Sequence, residues 1–258
     1  MTTSAEIRSV LAQTTIPPEV ADALVAQAPD LWLMSETSVE LLASDLALCH
    51  PSLGPREVRA SAVPIDRLGT WRLSIVARDR PGLLADTTGV LAAAGVPVLG
   101  ASALTLTARR LALHSLVVSA PRLTETGWRQ LGGRVQAAAN GRAPRVRFEP
   151  RGVAEVTCTG RPRGLHLLTV SAPDQTGLLS AICRAVAEQA LSIDVAHAVS
   201  QDGRAEDLFV VDGQVDVDDL AARLSASGRS RVAEVAFGVL GQIPVVGGLV
   251  GKALAKVV

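Results

Sequence analysis

Residues 73–84 read LSIVARDRPGLL and residues 168–179 read LTVSAPDQTGLL, and the fold is decided by the fact that one repeats the other. Asp79, Gly82, Leu83 and Leu84 return as Asp174, Gly177, Leu178 and Leu179, an offset of 95 residues. Each copy runs from an apolar strand pattern through an acidic turn and a glycine into a helical pattern. Two further apolar runs follow each helix, LGASALTL and LALHSLVV in the first copy, IDVAHAVS and EDLFVVDG in the second. Solenoid units recur every 20–50 residues or so. A spacing this long therefore marks a duplicated domain.

Working outward, the first copy predicts strand 70–78, helix 82–95, strands 97–107 and 110–118, helix 124–140 and strand 145–149. The second predicts strand 165–172, helix 177–190, strand 191–200, a hairpin at Gln201-Asp202-Gly203, strand 204–212, helix 216–227 and a last strand at 229–237. The order βαββαβ is that of a ferredoxin-like domain, with two helices on one face of an antiparallel sheet. The fold class expected is α+β, with two such domains in tandem at 70–150 and 165–237. A linker or bridging strand is expected at 151–164. Residues 1–69 read as a helical and irregular segment. Pro17-Pro18-Glu19 starts one helix there, and Ser38 caps another whose Val39, Leu42, Leu46 and Cys49 share a face. Residues 238–258 form an apolar, glycine-rich tail.

Composition narrows the function. Of 258 residues 48% are hydrophobic and only 2% aromatic, with no tyrosine, while 25 basic residues balance 25 acidic ones. Neither base-stacking faces nor a basic field is available, so nucleic acid is not an expected partner. Cys49, Cys158 and Cys183 make no CxxC pair, and His50, His114, His166 and His197 have no metal-ligand spacing, so no metal or cofactor is expected. Nucleophile-elbow and phosphate-loop signatures are absent, and the expected protein is not an enzyme. The start MTTSAEIRSV lacks the basic and apolar parts of a signal peptide, which makes the cytoplasm the expected compartment. In the tail, residues 235–251 carry no formal charge, but Pro244 and glycines 238, 241, 247, 248 and 251 argue against a spanning helix. Docking on the protein or on a partner ranks ahead of membrane contact for that segment.

The chemistry is expected at the glycine turns. A strand that turns into a helix N-terminus offers free N–H groups and a positive dipole end to a carboxylate. Gly82 and Gly177 allow close approach of a ligand to the backbone. Asp79 and Asp174 are expected to cap the helices and to face a ligand amino group. The plain alternative is that these residues only satisfy the turn geometry.

The D-x-x-G-L-L turn inside a βαββαβ copy resembles the ACT domain, a regulatory module that usually senses amino acids. RDRPGLLADTTGVLAAAGVPV is similar to the ACT repeats at the C-terminus of the protein-PII uridylyltransferases, which respond to glutamine. Glu206-Asp207-Leu208-Phe209-Val210 matches the family's acidic-then-Phe third strand, and the first copy has His114 at the Asp207 position. The resemblance implies a non-catalytic sensor of a small, glutamine-like amino acid that signals to a partner protein. It also implies pairing of modules within the chain or in a homo-oligomer. The ligand residues it implies are Asp79, Arg80, Pro81, Gly82, Leu83 and Leu84, then Asp174, Gln175, Thr176, Gly177, Leu178, Leu179 and Ser192. Family members often carry Asn after the first helix, where this chain has Pro97 and Ser192. The second copy is therefore expected to be the more ligand-competent, with Ser192 as one of its contacts. The alternative is an interaction scaffold that has lost its ligand and uses the tail for partner or membrane contact.

Overall fold

A computed structural model describes residues 3–33, 38–66 and 68–226, together with the strand at 231–232. Four helices come first, α1 (Ser4–Leu11), α2 (Pro18–Val25), α3 (Asp30–Leu33) and α4 (Val39–Ala47). The first copy follows as β1 (Arg59–Pro64), β2 (Thr70–Arg78), α5 (Leu83–Ala93), β3 (Val98–Leu106), β4 (Leu111–Ser119) and α6 (Glu125–Ala139). The second is β5 (Glu155–Gly160), β6 (His166–Pro173), α7 (Leu178–Glu188), β7 (Ile193–Gln201), β8 (Arg204–Val211), α8 (Val217–Leu224) and β9 (Arg231–Val232).

Among the described residues these strands make one nine-stranded sheet, in the order β1-β2-β4-β3-β7-β8-β6-β5-β9. Every pair is antiparallel except β5–β9. The copies therefore join inside the chain, along a β3–β7 seam in which Ala101 faces Ala198 and Ser102 faces His197. Strand alternation sends Leu73, Ile75, Leu116, Val170 and Phe209 to one face, where α5, α6, α7 and α8 cover them.

The edge strands depart from the expected order. Residues 145–149 form no strand; the edge beside β2 is taken by β1, and the edge beside β6 by β5 from the expected linker. Each copy thus runs ββαββα, filling the same edge with the preceding segment. Two features divert 145–149 from the sheet. Pro150 withholds a ladder donor, and Val146 and Phe148 pack on the helix layer over the Gly177 turn instead. Of the last expected strand, 229–237, the described part is Arg231–Val232. The tail 238–258 lies outside the described residues.

The described part of the first 58 residues holds more regular structure than expected. Ser38 accepts the Leu41 N–H at 3.2 Å, as its capping role requires. Thr3 and Glu6 form a reciprocal capping box on the unanticipated α1. Ile7, Leu11, Leu24, Trp32, Leu42 and Leu46 pack on Val76, Leu104, Leu106, Leu111 and Leu113, covering the sheet face opposite α5 and α6. Within this layer Asp45 of α4 is buried and accepts from Arg72, from Ser74 and, at 2.6 Å, from Ser115. No helix among the described residues is long and apolar enough to cross a membrane.

Candidate functional site

Both glycine turns have the backbone the sequence demands. Gly82 (φ 75°) opens α5 and Gly177 (φ 95°) opens α7, each in the left-handed region that a Cβ penalises. The Asp79 N–H donates to the Arg110 carbonyl at 3.0 Å and the Asp174 N–H to the Gly203 carbonyl at 2.9 Å. Each aspartate is thereby pinned to the β–β loop of its own copy. The expected capping role fails, since no side chain caps α5 or α7. The φ > 0 glycine stands at the N-cap itself and places the aspartate three residues too early to reach the first turn. That turn keeps its positive end for an outside acceptor.

The copies exchange walls. A Cβ on Gly82 would stand 3.6 Å from the Cβ of Ala187 in α7, and one on Gly177 would stand 3.7 Å from the Cβ of Ala92 in α5. Ala92 and Ala187 are themselves equivalent by the 95-residue offset. Two cavities follow. One is lined by residues 174–180, by Asp207 and by residues 96–100 of the first copy. The other is lined by residues 79–85, by His114 and by residues 191–193 of the second copy. This corrects the placement of Ser192, which lies with the turn of the first copy. Pro97 lies with the turn of the second. The exchange follows from the β3–β7 seam, which swings the segment after each helix across to its neighbour.

The two cavities differ in size, about 290 Å³ at the second turn and about 30 Å³ at the first. Three positions account for the contrast. Arg80 of the first turn donates to the Asp86 carboxylate and, at 2.8 and 3.3 Å, to the carbonyls of Ala138 and Ala139 at the end of α6. Arg184 of α7 meets the same Asp86 at 2.6 Å, so one buried carboxylate joins both copies. In the second copy the counterparts of Arg80 and Asp86 are Gln175 and Ala181, and the counterpart of Arg184 in the first is Gly89. Nothing of that network exists at the larger cavity.

Electrostatically the cavities also diverge. Burial pushes the Asp207 carboxyl up to about 8, helped by the nearby Asp174 and Glu206. Burial and the Arg80 charge hold His114 down at about 4, and its Nδ1 meets Thr87 Oγ1 at 3.1 Å. Burial also raises Asp79. The lining residues not expected from the sequence include Thr88, Arg151, Asp207 and residues 96–100. Asp207 was visible as part of the third-strand pattern. Arg151 and residues 96–100 were not, because only the seam and the 143–152 segment bring them to Gly177.

Among the described residues no cluster of His, Cys, Asp and Glu has the arrangement of a metal site. Burial raises the thiol of Cys49 to about 12 and that of Cys183 higher still, so neither is a nucleophile. What the larger cavity offers is binding chemistry: an uncapped helix N-terminus, one guanidinium, two carboxyl groups and apolar walls.

The family model of the ACT domain matches residues 166–229. The chain is 26% identical over 206 residues to the bifunctional uridylyltransferase/uridylyl-removing enzyme of Gluconobacter oxydans (strain 621H), a match that takes in 71% of the chain and 21% of that enzyme. The chain thus spans about a fifth of the length of this curated relative. Among solved structures, aspartate kinase from Synechocystis matches with 18% identity and a TM-score of 0.35, over 60% of this chain and 26% of the kinase. An unknown protein from Galdieria sulphuraria matches with 15% identity and a TM-score of 0.25, over 55% and 81%.

Proposed function

We propose that this chain, an ACT-domain protein, is a non-catalytic regulatory protein of the cytoplasm that binds a small amino acid between its two copies and signals to a partner protein. One observation carries the reading: the cavity of about 290 Å³ sits on the uncapped N-terminus of α7 and is walled by both copies. A single amino acid suits a volume at the lower end of the range of small-molecule pockets, roughly 300–1,000 Å³. Its carboxylate would meet the first turn of α7 and Arg151, and its ammonium would meet Asp174. A ligand touching both copies favours whichever relative arrangement closes on it, which is how occupancy becomes a signal. Likeness to a uridylyltransferase makes glutamine the first candidate and a nitrogen-linked role the first context to examine. The functional units proposed are the copies at 70–150 and 165–237, each completed by the edge strand that precedes it.

The test is a thermal-shift screen of the full chain against the twenty amino acids, followed by calorimetry. A selective, saturable rise with one site per chain is expected, because a ligand that binds the native state alone must stabilise it. Gly177→Asp, which sets a carboxylate at the helix start on a backbone that disfavours it, should weaken binding more than tenfold. A second reading, a scaffold without a ligand, is favoured by Pro97, which brings no side-chain hydrogen-bonding group to the Gly177 turn. A cooperative melt unmoved by every amino acid would select it.

A further inference from the structure

One blueprint has been completed in two ways, and the closed cavity shows what the open one lacks. In the first copy a cation belonging to the chain occupies the turn. Arg80 lines the smaller cavity, donates to Asp86, Ala138 and Ala139, and its charge bears on His114 of the third strand. In the second copy the same position is Gln175, shorter and uncharged, and the third-strand position is Asp207. Asp174 and Asp207 both line the larger cavity, and Asp207 is only 3% exposed. Arg151 is the one cation among the lining residues described there.

We propose that the larger cavity takes an amino acid whose side chain ends in an N–H donor, an amide, amine or guanidinium, set against the buried Asp207 at the third-strand position that lies under the influence of Arg80 in the first copy, while Asp174 keeps the α-ammonium. This rests on the amino-acid-sensing reading above and specifies its ligand. A side-chain carboxylate would set a further acid against the buried Asp207, whose carboxyl already resists ionisation beside Asp174 and Glu206, so the two would repel or have to share a proton. An aliphatic end would leave the buried Asp207 carboxyl facing it without a donor from the ligand. With the acidic side given to the side chain, Arg151 and the start of α7 hold the α-carboxylate.

The experiment is calorimetry on the full chain at pH 8.5, where Asp207 has given up most of its proton, with glutamine, lysine and arginine against glutamate and leucine, repeated on two variants. Expected is tightest binding by one of the three N–H-bearing amino acids, with glutamate and leucine at least tenfold weaker. Asp207→Asn should bring glutamate to within about threefold of that ligand. Gln175→Arg installs the first copy's arginine, and should weaken binding at least tenfold while leaving Tm unchanged or raised, which separates occupation from unfolding. Glutamate or leucine binding as tightly as the best N–H-bearing ligand would overturn the inference and leave the sensor reading standing. So would preference unchanged in Asp207→Asn, or full binding by Gln175→Arg. Binding of none of the twenty amino acids would overturn both.

Discussion

Asp207 and His114 stand on the same rung of the duplicated ladder, opposite Val170 and Ile75 respectively, and burial moves them in opposite directions. Asp207 titrates at about 8 in the folded chain and near 3.9 when unfolded. Between those values the native state holds a proton that the unfolded state has lost. Its contribution to stability is therefore complete below about pH 4 and falls as pH rises to 8, at up to about 1.4 kcal/mol per pH unit. His114, lowered to about 4, contributes in the other sense: its share is present above about pH 6.5 and is lost as pH falls toward 4. Asp207→Asn should raise Tm at pH 8, change it little at pH 4, and flatten the fall between them. A fall of unchanged slope would show that Asp207 is not its source. The pairing of these two positions was legible, because aligning the copies sets one against the other. Their burial was not, since a carboxylate in a strand reads as a solvent-facing residue.

At the scale of elements, the helices and glycine turns were the legible part, and the edges were not. Periodicity and caps located α4, α5 and α7 because those signals are local. Which segment fills an edge is settled by competition. Residues 145–149 alternate like a strand, but Val146 and Phe148 are worth more against the helix layer, while 59–64 and 155–160 lie free to pair. The end of α7 carries a second lesson. Gly95 closes the turn after α5 with φ 65°, and its equivalent Ala190 adopts φ 60° with a Cβ attached. That conformation costs a non-glycine residue about 1–2 kcal/mol, against roughly 0.5–1 kcal/mol for the added freedom of an unfolded glycine. Ala190→Gly should therefore stabilise the chain by about 0.5–1 kcal/mol in urea denaturation with an unchanged m-value. Destabilisation would show that the Ala190 methyl contributes more packing than its strain removes.

At the scale of the whole molecule the two copies share one sheet among the described residues, and their stability should be coupled. All three tryptophans, Trp32, Trp71 and Trp128, lie in the helical segment and the first copy. Fluorescence thus reports one half, whereas far-UV circular dichroism reports both. Transitions by the two probes should coincide, as two-state unfolding requires. Asp45→Ala, which leaves Arg72 buried without this carboxylate, should lower both together by about 3–5 kcal/mol. Separate transitions would show that the β3–β7 seam does not couple the copies. The layering itself left a trace in the sequence. The strand LALHSLVV is apolar nearly throughout and is buried on both faces, while β8 alternates buried and half-buried positions along EDLFVV. The seam left none, because β3 and β7 are edge strands until they meet.

That meeting has an evolutionary consequence. In a symmetric pair of separate chains, a substitution alters both binding sites at once. Here each cavity draws its turn from one half of the sequence and its opposite wall from the other, so under the proposed function the halves could drift apart in ligand response while remaining tied as building material. Under the proposed function, selection on ligand recognition at Gly177 would act on residues 96–100 of the first half as directly as on the second. A first half with the smaller cavity would then still be kept by the wall it lends to its twin.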